Sequence, residues 1–332
     1  MELQYIPLLG SEIALSLYPQ LIKLIPTTIE LQVAVRCITY SVLAIIGYYI
    51  TTHNNTYNNT NITTNNNNTN TTTNTFSFII TTIVMGLVNS IHIFSSYICF
   101  NTLSSGGAYS IFYIYPIFNL LGRTLIYNEK IDSINYIYIL ISILGVYLIY
   151  KNTIKDTTLE TTPQPTTENT PHPTTETIEH KNSFQTISDI INTKNKTIGL
   201  FSGLLSALTE SIIYFMVKDN LGSVSPFIQL FKTYLFGGIL SIIYLIQNST
   251  TNLDYHYWIT LILFNALIGF VGYLLRFIMI PKLSTLLFNS LIFTGVIFSY
   301  SWGYLLSNEP ITYNNLYGTL LIIVSIVLIN KK

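Results

Sequence analysis

The residues of this chain with chemistry to offer are few, and most sit where charge is expensive. Glu210, Glu12 and His92 lie within long apolar stretches, and Arg276, Arg36 and Lys232 interrupt others. An ionisable group inside such a run is costly in hydrocarbon, so it is a default candidate for function. Glu210 leads: a desolvated carboxyl suits proton exchange or cation recognition, and the plainer alternative is an ion pair with Lys218 two turns on. Glu12 offers the same chemistry nearer the end of its stretch. His92 can relay protons or simply hydrogen-bond a neighbouring helix. Arg276 can meet an anionic solute, or it can snorkel to the interface, because Pro281 is only a few residues away. Arg36 and Lys232, each early in its run, can hold a carboxylate or a phosphate.

A second group is aromatic. Tyr109, Phe112, Tyr113, Tyr115 and Phe118 crowd one stretch, with Asn119 close behind. At helical spacing Tyr109, Phe112, Tyr113 and Asn119 approach one face, which suits either stacking of a planar ring or helix packing. No G-x-S-x-G, Walker A loop, HExxH or paired-cysteine metal motif occurs, so the sequence carries no enzyme signature and calls for no metal or cofactor. Cys37 and Cys99 both fall in apolar runs and read as buried free thiols.

The elements that must position these groups are set by composition. Of 332 residues 49% are hydrophobic and only 9% charged, with a mean hydropathy of +0.46. A water-facing surface needs about a quarter charged residues, so most of this surface faces something else. The zero net charge argues against nucleic acid as a partner. Ten stretches are long enough to cross hydrocarbon, near 5–25, 29–49, 76–100, 105–127, 133–150, 197–217, 226–246, 256–280, 283–306 and 313–330. They do not alternate as barrel strands do, so the expected fold is an all-α integral membrane protein with ten transmembrane helices. Two polar insertions interrupt them. An Asn/Thr tract at 51–75 and a Thr/Pro-rich linker at 152–195 lack the apolar surface to offset chain entropy, and both are expected to be disordered.

The linker divides the spans five and five, and the halves repeat. Shifting residues 103–151 by 180 positions superposes Leu103 on Leu283, Ser110 on Ser290, Asn128-Glu129 on Asn308-Glu309, Ile131 on Ile311 and Lys151 on Lys331. The same shift makes Asn289 the counterpart of Tyr109. Lys23 and Arg36 correspond more loosely to Lys218 and Lys232. An odd number of spans per half inverts the second half relative to the first, so the expected domains are a five-helix repeat at 1–151, the linker, and an inverted repeat at 196–332. Glu129 and Glu309 fall in the repeated turns, where the expected work is structural: capping the following helix and accepting backbone N–H bonds.

These motifs resemble those of the drug/metabolite transporter superfamily, and within it the EamA-type carriers. The resemblance rests on the turns Tyr127-Asn-Glu-Lys-Ile131 and Ser307-Asn-Glu-Pro-Ile311, the span ending Leu144-Gly-Val-Tyr-Leu148, the Lys23 and Arg36 pair, and the tract from Ser105 to Pro116. Asn replaces the family's usual Gly before each turn glutamate and tolerates the same left-handed backbone. Val296 stands where the second half often has Pro.

The resemblance implies a ten-helix transporter with both termini cytosolic. Arg123, Lys130, Lys218, Lys282, Lys331 and Lys332 then face inward, while the linker lysines run against the trend. The sequons beginning at Asn54, Asn58, Asn61, Asn67 and Asn70 would lie in the cytosol, unglycosylated. The expected function is secondary transport or exchange of a small polar organic metabolite by alternating access, with proton coupling as an option. The alternatives are a nucleotide-sugar-like antiporter and a non-transporting membrane scaffold or receptor. The expected partners are the lipid bilayer and a small-molecule substrate, with a homodimer left open.

Overall fold

The computed structural model describes residues 5–59, 75–128, 132–159, 175–219, 225–247, 255–283 and 285–330. Among them every regular element is helical. In chain order these are α1 (Ile6–Leu15), α2 (Tyr18–Leu24), α3 (Ile29–Asn59), α4 (Thr75–Thr102), α5 (Ser105–Phe112), α6 (Tyr115–Tyr127), α7 (Ser133–Leu159), α8 (Thr175–Asp219), α9 (Pro226–Gln247), α10 (Tyr255–Phe264), α11 (Val271–Met279), α12 (Thr285–Ile292), α13 (Thr294–Ser307) and α14 (Tyr313–Asn330). A π-helical turn, Asn265–Phe270, joins α10 to α11.

Among the described residues five stretches are long and apolar enough to cross a membrane: Ile29–His53, Phe78–Thr102, Asn195–Lys218, Pro226–Gln247 and Tyr255–Met279. Ser133–Ile149 and Tyr313–Leu328 form shorter apolar helices. Three expected spans are broken in the middle: α1 from α2, α5 from α6, and α12 from α13. Pro19 and Pro116 stand in the first turns of α2 and α6, where a ring without an N–H cannot continue the preceding helix. Outward faces are apolar: Ile45, Ile83, Leu140, Ile242 and Leu320 are all exposed. A belt of exposed aliphatic groups, with charged groups such as Glu12, Arg36 and Arg276 buried inside, belongs to an integral multi-pass membrane protein.

Helix extends into the described parts of both polar insertions. Helix α3 runs on to Asn59, α7 to Leu159, and α8 begins at Thr175, so the described parts of 51–75 and 152–195 are helical where disorder is expected. A strong apolar span nucleates helix, and propagation into a polar flank is cheap once the first turns exist. Residues 60–74 and 160–174 lie outside the described residues.

Helix α3 packs on α9, α4 on α8, α7 on α14, α1 on α11, and α5 on α13. Close approach of α7 and α14 rests on two glycines: a Cβ on Gly145 would come within 2.5 Å of the Gly318 carbonyl oxygen, and one on Gly318 within 2.6 Å of the Gly145 oxygen. Small residues let helix backbones touch in lipid, where packing rather than hydrophobic exclusion holds helices together. Asn128 and Asn308 end α6 and α13 with φ of 53° and 50°, the described non-glycine residues in the left-handed region. Helices α6 and α13 therefore end on the same left-handed residue type. Cys37 and Cys99 are buried free thiols.

Candidate functional site

Helix α11 delivers one guanidinium to the middle of the bundle. Arg276 is 1% exposed and is among the largest fully buried side chains. Its Nη1 donates to Glu210 Oε1 on α8 at 2.8 Å, and its Nη2 donates to Glu12 Oε1 on α1 at 2.9 Å. Nε reaches the same Glu12 oxygen at 3.3 Å, and Nη2 also donates to the Tyr113 hydroxyl at 2.6 Å. Tyr113 in turn donates to Glu12 Oε2, with the Tyr109 hydroxyl 3.2 Å away. A planar fork with five donors can serve two carboxylates at once, which an ammonium cannot do with the same rigidity. Snorkelling of Arg276 is therefore overturned: two carboxylates hold it inside. Glu210 pairs with Arg276 rather than with Lys218, whose Nζ donates to Tyr214 at 3.0 Å. The far side of Glu210 faces His92 on α4, with Nε2 3.4 Å from Oε2.

A second guanidinium lies beside the first in a different environment. Arg36 on α3 is 2% exposed, and its Cζ lies 4.7 Å from the ring centre of Tyr18, 4.9 Å from Tyr273, 5.3 Å from Tyr40, 5.7 Å from Tyr97 and 5.9 Å from Tyr234. Nη2 donates to the Tyr234 hydroxyl at 3.1 Å, while Nε is buried with no hydrogen-bond partner. Among the described ion pairs none includes Arg36. Its charge is held by tyrosine ring faces, each contributing about 0.5–2 kcal/mol, and by the Tyr234 hydroxyl. Tyr273 joins the two centres, because Arg276 Cζ is 5.9 Å from the same ring.

Breaks in the helices surround these groups. Tyr113 ends α5 at the α5–α6 break, and Phe293, at the α12–α13 break, lies 6.3 Å from it, ring to ring. A Cβ on Gly295 would meet Glu12 Oε2 at 2.7 Å, so glycine is what lets α13 approach the carboxylate. The π turn leans on the tyrosines: Tyr18 donates to Asn265 Oδ1 at 3.0 Å, and the Tyr18 and Tyr40 hydroxyls are 2.5 Å apart. Tyr18 itself opens α2, just past the α1–α2 break. π turns recur at functional sites because the extra residue frees backbone and re-aims side chains.

A third polar centre closes one end of the bundle. Glu309, in the second repeated turn, accepts Lys23 Nζ at 2.6 Å, the Ser105 backbone N–H at 2.7 Å and the Ser105 hydroxyl at 3.0 Å. Gln20 donates to Ser105 Oγ at 2.5 Å and accepts from Ser307. Glu309 thus caps α5, in the other half of the chain, and not the helix that follows it. Burial by itself would raise this carboxyl, but the Lys23 ammonium and the Lys23 and Ser105 hydrogen bonds outweigh it and hold the group below the usual carboxylate range. Glu129 lies outside the described residues.

The structure therefore brings Glu12, His92, Tyr109, Tyr113, Glu210 and Arg276 into one cluster with Arg36 beside it. It does not bring in the rest. Lys232 is not a twin of Arg36: its Nζ lies 4.1 Å over the exposed ring of Phe78. Asn119 sits beyond the α5–α6 break, where its Oδ1 accepts from Ser211 at 2.7 Å, so the helical face expected to unite it with Tyr109 is interrupted. Asn289 is buried on α12. The tyrosines at 18, 40, 97, 234 and 273 and the Lys23–Glu309 contact have no local signature. The abundance of tyrosine, 25 in all, is the signal available, and it does not say which ones converge.

Among curated proteins none matches the chain. A solved crystal structure shares the fold over 98% of this chain and 97% of its own, with a TM-score of 0.57 and 10% identity. Residues 197–331 match the model of the EamA-like transporter family, the stretch that carries α8 with Glu210, α11 with Arg276, and the Asn308-Glu309 turn. The EamA-like family is part of the drug/metabolite transporter superfamily, and the match covers the second half of this chain.

Proposed function

We propose that the protein is a secondary transporter or exchanger of a small polar organic metabolite, working by alternating access through ten transmembrane helices in two inverted five-helix repeats, 1–151 and 196–332, with both termini cytosolic. One observation carries the reading: four interruptions of helix, at α1–α2, α5–α6, the π turn and α12–α13, converge on a single set of buried charges. Non-helical backbone at membrane depth is tolerated where it lines a site, and discontinuous helices build the midplane sites of secondary transporters. The repeat is supported by breaks at Tyr113 and Phe293, which fall 180 residues apart as the sequence repeat does, and by the matching Asn128 and Asn308 turns. The count of ten is supported by five long spans, two shorter apolar helices and three broken ones.

Within the site the two arginines have different roles. Arg276 is committed to Glu12 and Glu210, whereas Arg36 has no carboxylate among the described residues, so Arg36 is the cation that takes a negative group of the solute. The nucleotide-sugar-like alternative needs its second cation freed from two carboxylates, which weighs against it. A thermal-shift screen of the purified protein against carboxylates, amino acids, amines, phosphorylated sugars and nucleotide sugars tests the reading. A true ligand at a hundred times its Kd stabilises the folded state by about 2.7 kcal/mol, and Arg36→Gln should abolish that gain. If every class leaves the melting temperature unchanged, the scaffold reading prevails.

A further inference from the structure

His92 and Glu210 face each other through Nε2 and Oε2, 3.4 Å apart. Nδ1 of His92 lies 3.1 Å from the Ser206 carbonyl oxygen, which can only accept. It also lies 3.2 and 3.5 Å from the Ser206 and Thr209 hydroxyls, which can accept as well as donate, so a hydrogen on Nδ1 is the arrangement that suits all three. Nε2 of the neutral ring then carries a lone pair, and Glu210 Oε2 lies 3.4 Å from it. That oxygen is buried without a hydrogen-bond partner, although its sister Oε1 is taken by Arg276. Two acceptors confront each other in a water-poor interior, where an unsatisfied buried acceptor is costly. The Tyr273 hydroxyl reaches Nε2 at 3.5 Å, the outer limit of a hydrogen bond, and leaves Glu210 Oε2 without a donor.

We propose that the gap between His92 Nε2 and Glu210 Oε2 is a proton-binding site. A proton attaches to Nε2, the ring becomes a cation with both nitrogens donating, and the new N–H donates to Oε2. One proton and one positive charge are added, and no bond between heavy atoms changes. The charged groups around His92 are Glu210 from α8, Arg36 from α3 and Arg276 from α11. Tyr273 comes from α11, and α5 presents Phe112, ring to ring at 5.6 Å. Tyr18 of α2 and Tyr234 of α9 reach this centre through Arg36. The bound proton competes with Arg276 for Glu210, and so loosens the bridge by which α11 holds α8. That this loosening drives transport rests on the transporter reading above; that the proton binds here does not.

The test is NMR of the full-length protein labelled with 15N-histidine, in detergent micelles between about pH 5 and 8. Neutral His92 should carry its hydrogen on Nδ1. On acidification a low-field Nε2–H resonance should appear, present in wild type and lost in Glu210→Gln, with Nδ1–H retained. A neutral ring protonated on Nε2, or an Nε2–H resonance unchanged in Glu210→Gln, overturns the proposal. His92→Gln assigns the signal among the five histidines. Should either variant fail to fold, joint replacement of His53, His172, His180 and His256 by Gln isolates His92 with the pair intact, and its tautomer alone decides. No solute or flux enters this measurement. A missing resonance therefore sinks the proton site and leaves the transporter reading standing, while a resonance present alongside a silent ligand screen does the reverse.

Discussion

Lys23 and Glu309 stand 286 positions apart in the chain and meet at 2.6 Å, tying the end of α2 to the turn between α13 and α14. The same carboxylate caps α5, so one side chain joins three helices at one end of the bundle. A closed end of this kind must open in any alternating cycle, which makes the contact a latch with a measurable strength.

Acid should weaken the latch. The folded Glu309 carboxyl lies below its ordinary value of 4.5, so its stabilisation is fully present above that value and is lost as pH falls through the lower folded value. The melting temperature in detergent should therefore be flat down to about pH 5 and then fall, more steeply in wild type than in Glu309→Gln. Identical slopes in the two proteins would mean that the latch contributes nothing.

The central ion cluster should respond in a fixed order. Arg276→Met strands two buried carboxylates and should cost most, about 3–5 kcal/mol. Glu12→Gln removes a partner that Arg276 contacts through both Nε and Nη2, and should cost more than Glu210→Gln. The triple variant, which removes Arg276, Glu12 and Glu210 together and so strands none of the three, should recover much of the loss. Denaturation of all four proteins under one condition checks the order. The same logic shows why Arg276→Ala alone cannot identify an anionic substrate: its effect on fold and on binding would coincide.

Two glycines should be intolerant and a third permissive. Gly145→Ala and Gly318→Ala each drive a Cβ against backbone oxygen between α7 and α14 and should destabilise by about 1–3 kcal/mol. Gly10 on α1 has its nearest neighbour at 4.0 Å, so Gly10→Ala should be neutral or gain up to about 1 kcal/mol from helix propensity. Thermal melts of the three variants separate close helix contact from a general aversion to added bulk.

The left-handed turn predicts a chemical ranking at Asn308. With φ at 50°, Asn308→Gly should match wild type, whereas Asn308→Val should lose about 1–2 kcal/mol. Equal stability of the two variants would show that the turn relaxes without cost.

The sequence by itself determined the helices, because span length and apolar content are local properties that lipid enforces segment by segment. Placement of the expected spans agrees with α1 through α14 closely enough that each break falls inside a span. The repeated Asn-Glu turn was equally legible, since Asn is one of the few residues that accept positive φ. Individual ionisable residues were also visible, as charges out of place in apolar runs. Their partners were not. Glu210 and Arg276 were rival candidates in the sequence and are one ion pair in the fold. The five tyrosines around Arg36 come from α2, α3, α4, α9 and α11. Only tertiary structure decided these, because a buried charge selects whatever counter-group the crossing helices bring within a few ångströms, and that distance is written in no single span.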